Sequence, residues 1–154
     1  MTDAPTIRRA RREEAALLSD LALRAKAHWG YDDAFMEMCR EELSVTISDI
    51  EGGTVWVAEA GGSVLGFMDL RMADGVAELD ACFVEPTAIG SGVGRALWAQ
   101  AETLARAAGA GEIGLDSDPY AEGFYLAMGA VRTGEAPSGS IPGRVLPRLM
   151  KTLG

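Results

Sequence analysis

Apolar residues recur along this chain with two periods, and the change of period divides it into segments. Residues 11–27 carry Ala15, Leu18, Leu21, Ala22 and Ala25 at helical spacing, after a short strand-like stretch at 5–10. Gly30 interrupts the pattern, and Phe35, Met38, Cys39 and Leu43 then predict a second helix, closed by polar residues and Gly52-Gly53. From 54 to 84 the alternation is that of strands: TVWVAEA, SVLGFMDLRMA and VAELDACFV, joined by Gly61-Gly62 and Asp74-Gly75. Such pairs supply the positive φ of two-residue hairpin turns, so a three-stranded meander is expected.

Helical spacing returns at 92–108, with Val93, Leu97, Ala101, Leu104 and Ala108 on one stripe and Arg95, Glu102 and Arg106 on the other, ended by Gly109 and Gly111. A strand at 112–116 follows. A strand, helix, strand succession makes a parallel crossover, so the sheet is expected to be mixed. Asp118-Pro119 reads as the N-cap and first position of a short helix running to Met128 and stopped by Gly129. Two final strands, near 130–136 and 145–152, flank the loop PSGSIPGR. The fold class predicted is α/β (α+β): a mixed, mostly antiparallel central sheet flanked by helices, in one domain spanning 1–154.

Composition narrows the function classes. The chain has 154 residues, 48% hydrophobic and 24% charged, which is a globular balance. Fourteen Lys plus Arg against 23 Asp plus Glu give a net charge of −9, and such a surface repels polyanions, so no nucleic-acid partner and no anionic membrane partner is expected. The dense basic run at Arg8, Arg9, Arg11 and Arg12 is followed at once by Glu13 and Glu14 and reads as a strand end entering an exposed helix, not a targeting signal. No stretch approaches a membrane span and the start lacks an apolar signal core, so a cytoplasmic location is expected. Cys39 and Cys82 have no CxxC or His-rich company, which suggests reduced thiols, no disulfide and no metal site.

The strongest chemical signal is FVEPTAIGSGVGRALW, in which Gly90, Gly92 and Gly94 alternate just ahead of the amphipathic helix. Glycines let an anion approach the backbone, and successive N–H groups at a helix start add donors and a favourable dipole. A dinucleotide fingerprint fails because Arg95 stands at its third glycine, and a Walker loop fails because no GK[ST] follows. With strand, loop and helix in this order, the chain resembles the GNAT superfamily of acetyl-CoA-dependent N-acetyltransferases. The specific match is the [RQ]xxGx[GA] loop at Ile89, Gly90, Ser91, Gly92, Val93 and Gly94, preceded by VxP at Val84, Glu85 and Pro86, with Ile89 departing from the usual Arg or Gln. A second match is DPYAEGFYLAMGA at 118–130, which places Ala121, Tyr125 and Gly129 in register with NxxAxxxYxxxGF and puts Asp118 where the family has Asn.

The resemblance implies that Phe83, Val84, the loop Ile89–Arg95, Asp118, Ala121 and Tyr125 hold acetyl-CoA, and that Tyr125 protonates the departing thiolate. It also places a base at the Glu78 position. Acetyl transfer needs a neutral amine, whereas an alkylammonium has a pKa near 10, so a proton acceptor is required. Strand alternation puts Glu78, Asp80, Cys82 and Val84 on one face with Ala77, Leu79, Ala81 and Phe83 on the other, so either Glu78 or Asp80 could accept the proton. Cys82 has no local His to activate it, which argues against an acetylated cysteine.

On the acceptor side, His28, Trp29 and Tyr31 could form an amine-binding wall, and Arg144 in the SIPGR turn could clamp a carboxylate. The expected reaction is transfer from acetyl-CoA to a primary amine of a small molecule by direct attack in a ternary complex. A protein or peptide acceptor, a non-catalytic CoA-binding module and a binder of another nucleotide are the competing readings. A homodimer is an open expectation.

Overall fold

The structure, a computed structural model, describes residues 4–154. Seven strands hydrogen-bond in the order β1-β2-β3-β4-β5-β7-β6. They are β1 (Thr6–Arg9), β2 (Val55–Ala60), β3 (Ser63–Ala73), β4 (Val76–Val84), β5 (Glu112–Asp116), β6 (Val131–Pro137) and β7 (Val145–Thr152). The helices are α1 (Ala15–Ala27), α2 (Asp33–Leu43), α3 (Ile47–Glu51), α4 (Val93–Ala107) and α5 (Glu122–Ala127). The sheet is mixed: β4 and β5 run parallel, while β1-β2, β2-β3, β5-β7 and β6-β7 are antiparallel.

The chain packs as two compact units, one taking residues up to Asp69 together with Ala81–Leu97, the other Leu70–Asp80 together with Trp98–Gly154. In the first, the α1 stripe predicted from spacing is buried: Leu18, Leu21 and Ala22 meet Ile50, Val55, Val57 and Phe67, with Ala81 and Phe83 packed against them. Each of the buried Leu, Ile, Val and Phe side chains contributes about 1.5–3 kcal/mol by leaving water. Gly66 on β3 belongs to this packing for want of a side chain, since a Cβ there would stand 2.8 Å from the Phe83 carbonyl and 3.0 Å from Val93 Cγ1. In the second unit Leu70, Ala77, Leu79, Trp98, Ala101, Ala105, Ile113, Leu115, Ala130, Leu149 and Leu153 are buried.

Both predicted hairpin turns form with the required backbone: φ is 60° and 79° at Gly61 and Gly62, and 51° and 78° at Asp74 and Gly75. Three local readings change. Residues 12–14 wind as a 3-10 turn instead of opening α1, because the Glu14 carboxylate accepts from the Arg11 N–H (2.7 Å) and from the Arg8 guanidinium (2.9 Å). Helix α3, unpredicted, is held by a reciprocal cap in which Thr46 Oγ1 accepts from Asp49 N–H (3.0 Å) and Asp49 Oδ2 from Thr46 N–H (2.9 Å). Helix α5 begins at Glu122, not after Asp118, because residues 118–121 form a local turn in which the Asp118 carboxylate accepts from Tyr120 N–H (2.9 Å) and its carbonyl from Ala121 N–H (2.9 Å).

Candidate active site

In the first unit, the segment after β4 is shaped residue by residue. Glu85 N–H donates to the Leu65 carbonyl (2.8 Å), and Pro86 opens a 3-10 turn over Pro86–Ala88. The Glu85 carboxylate is gripped by Arg24 from the last turn of α1, Nε to Oε1 at 2.8 Å and Nη2 to Oε2 at 2.7 Å. Those hydrogen bonds hold the Glu85 carboxyl below the ordinary glutamate range. Ile89 is extended and half exposed.

Gly90 and Gly92 then take φ of 84° and 93°, a region that other residues enter only with strain, and a Cβ on either would meet nothing within 4 Å. Ser91 turns its hydroxyl onto the Ala88 carbonyl. The bond from Ala96 N–H to Gly92 O (3.0 Å) begins the α4 ladder, so the N–H groups of Val93, Gly94 and Arg95 precede it. The loop predicted at 89–95 is therefore an open, backbone-lined turn at the start of a 15-residue helix.

The predicted aromatic wall divides into two pairs. His28 and Trp29 meet edge to face with centroids 5.3 Å apart, while Tyr31 stacks on Phe35 at 4.1 Å and 9°. The chain's own Lys26 ammonium stands over the second pair, 5.4 Å from the Tyr31 centroid and 5.8 Å from that of Phe35. A cation thus does sit on Tyr31, as ring electrostatics favour.

In the second unit, Glu78 alternates with buried Ala77 and Leu79 as predicted, and Asp80 beyond it is exposed. Neither carboxylate is alone. Arg148 of β7 grips Glu78 with both terminal nitrogens, Nη1 to Oε1 and Nη2 to Oε2, the latter at 2.8 Å, and Nη1 also reaches Asp116 Oδ1 at 3.0 Å. These hydrogen bonds, that to Glu78 foremost, raise the affinity of Arg148 for its proton. Asp80 pairs with Arg71 at 3.1 Å. The paired residues of β4 and β5 run only from Val76↔Glu112 to Glu78↔Gly114, although β4 continues to Val84 and β5 to Asp116.

Tyr125 is 6% exposed, its ring 5.8 Å from that of Trp98 and 5.1 Å from that of Phe124. Ala121, immediately before α5, is half-buried. Arg144, expected on the acceptor side, and Asp118, expected on the cofactor side, come together at 3.8 Å, both largely buried. Arg148, Asp116 and Gly114 were not singled out from sequence. Their signal is weak: an Arg between buried Pro147 and Leu149 in a strand marks an outward-facing position, but its partner lies 70 residues away. Cys39 and Cys82 are free thiols, and among the described residues no group of His, Cys, Asp or Glu is arranged to hold a metal ion.

Comparison with known proteins identifies the family. Residues 22–130 match the model of the acetyltransferase (GNAT) family. Aminoglycoside N(6')-acetyltransferase type 1 of Stenotrophomonas maltophilia is 32% identical over 145 residues, covering 86% of this chain and 90% of that protein. Among solved structures, a GCN5-related N-acetyltransferase from Rhodopseudomonas palustris superposes with a TM-score of 0.84 at 22% identity, covering 99% of this chain and 98% of its own. The PaiA N-acetyltransferase of Thermoplasma acidophilum, solved with coenzyme A, gives 0.81 at 20% identity, covering 97% and 99%. These two likenesses show the fold, and with the family match and the curated relative they lead to one conclusion: this chain belongs to the GNAT family of acetyltransferases and is an acyltransferase.

Proposed function

We propose that the protein transfers the acetyl group of acetyl-CoA to a primary amine of a small, cationic molecule by direct attack in a ternary complex. The observation that carries this reading is the loop 89–95. Gly90 and Gly92 leave open space at positive φ, and three N–H groups follow ahead of the α4 ladder. That arrangement fits a pyrophosphate, because the donors are backbone groups that Ile89, standing where the family has Arg or Gln, does not remove. When bound, acetyl-CoA supplies the activated acyl group as a thioester.

On this reading, backbone N–H groups of Phe83 and Val84 meet the acyl oxygen where negative charge develops. Asp118 and Ala121 border the cofactor, with Asp118 kept in place by Arg144. Tyr125 gives its proton to the departing thiolate. Glu78 accepts the proton of the amine, directly or through water. Its two contacts with Arg148 use one lone pair on each oxygen, and a carboxylate offers about four acceptor positions, so acceptor capacity remains. Asp80 adds negative charge beside it. His28, Trp29 and Tyr31 border the acceptor, and Tyr31 already carries one ammonium on its face. The expected compartment is the cytoplasm.

The aminoglycoside acetyltransferase relative makes an aminoglycoside the natural first probe. The test is acceptor-dependent thiol release from acetyl-CoA across aminoglycosides, linear polyamines, amino acids and peptides. The expected result is turnover with polycationic small amines, reduced in Tyr125→Phe. Binding of acetyl-CoA with no thiol release for any amine would remove the proposal, and a preference for peptides would move the acceptor to a protein.

A further inference from the structure

We propose that Arg148 is a positioning residue for acetyl transfer, acting through Glu78, and that Gly114 is the aperture through which it does so. The inference rests on the reading of Glu78 as proton acceptor. Strand β7 does not neighbour β4, because β5 lies between them. On β5, Gly114 is registered with Glu78 of β4, and Asp116 with Arg148 of β7. The guanidinium therefore crosses β5 at Gly114 to reach Glu78. A Cβ on Gly114 would collide with Arg148 Nη2 and stand 3.1 Å from Glu78 Oε2, so a side chain at 114 must push the guanidinium off its present path. Gly114 has no positive φ to account for glycine there. The passage of the guanidinium does account for it.

The geometry has a chemical consequence. A free glutamate samples several rotamers, whereas a planar guanidinium bonded to both oxygens fixes the carboxylate in position and plane. Asp116 braces the guanidinium from its own strand at 3.0 Å, so the fork is itself held. Proton transfer depends steeply on placement, and a misplacement of about 1 Å costs on the order of 100-fold. A lysine in place of Arg148 keeps the charge and loses the two-point grip.

The experiment is a double-mutant cycle on kcat and KM, with acetyl-CoA and an accepted amine, over Glu78→Gln, Arg148→Met, Arg148→Lys, Gly114→Ala and the Arg148→Met/Glu78→Gln pair. Circular dichroism is recorded on each variant. Glu78→Gln and Arg148→Met are each expected to lower kcat by about 10- to 100-fold, with KM for acetyl-CoA changed by less than about 2-fold. The double variant should be no worse than the more impaired single variant within about 3-fold, because both changes remove one device. Arg148→Lys should recover only part of the loss. Gly114→Ala should lower kcat in the same direction as Arg148→Met while keeping every native charge, because the added Cβ displaces the ends of the Arg148 and Glu78 side chains from their present contact.

If the loss in the double variant equals the product of the single losses, Arg148 acts independently of Glu78 and the inference falls. If Arg148→Met and Gly114→Ala keep wild-type kcat while Glu78→Gln does not, the positioning role falls and the proton-acceptor reading stands. A fully active Glu78→Gln removes the proton-acceptor reading, and the positioning role with it.

Discussion

At the scale of single residues, the loop 89–95 depends on what two glycines lack. Gly92 sits at φ 93° with open space at its Cβ position, so a larger residue there strains the backbone and fills the volume an anion would occupy. Gly92→Val is expected to weaken acetyl-CoA binding by about 10-fold or more in calorimetry, of the order expected for blocking a charge-assisted contact. Circular dichroism should be unchanged, because no side chain packs at that point. Unaltered affinity would take the pyrophosphate away from this loop. Gly90, Gly92 and their spacing were legible in sequence because the requirement is local. Gly114 was not, because its reason lies in Arg148 and Glu78, each on a different strand.

At the scale of elements, charged side chains set where helices begin and how segments are tied. The Arg8 guanidinium bonds Glu14 at 2.9 Å and Glu59 at 2.7 Å, joining β1, the turn before α1 and β2. Hydrogen bonding from Arg8 foremost lowers the Glu14 pKa. A carboxylate with a lowered folded pKa contributes stability above its unfolded value, about 4.3, and that contribution disappears as pH falls through the folded value. Arg8→Met is therefore expected to cost about 1–2 kcal/mol at pH 7 and to flatten the loss of stability between pH 5 and 3, measured by urea unfolding as a function of pH. Equal acid slopes in the two proteins would show that this pair does not govern acid stability.

The same scale explains the shifted helix starts. Periodicity reports which residues are apolar, whereas the start of α1 was decided by Glu14 binding Arg8 and that of α5 by Asp118 turning onto Tyr120 N–H. The Thr46/Asp49 reciprocal cap behind α3 was present in the sequence as T-x-x-D, ahead of too few apolar residues to stand out.

At the scale of the whole molecule, the net charge of −9 is the leading feature. A field of that sign draws cations toward the surface, and salt screens it, the Debye length shrinking from about 10 Å at 0.1 M to about 3 Å at 1 M. KM for a polycationic acceptor is expected to rise by about 3-fold or more between 0.05 and 0.5 M salt, and KM for a monoamine by less. Initial rates with a polyamine and a monoamine check this, and equal salt sensitivity would remove electrostatic attraction from acceptor selection.

By itself the sequence determined the strands of the meander to within one residue, the glycine turns between them, the parallel crossover into β5 and the loop that opens α4. Each of these is written in neighbouring residues, through side-chain period, positive φ or a helix start. The tertiary structure decided which distant charges meet. The predicted base Glu78 is shared with Arg148, the predicted clamp Arg144 is turned onto Asp118, and Tyr31 faces Lys26. The Glu78 pairing follows from the strand order β4-β5-β7-β6, in which β7 enters between β5 and β6 out of chain order. Period and spacing carry no information about that order, because strands find their neighbours by burying faces and closing hydrogen-bond ladders over the whole sheet.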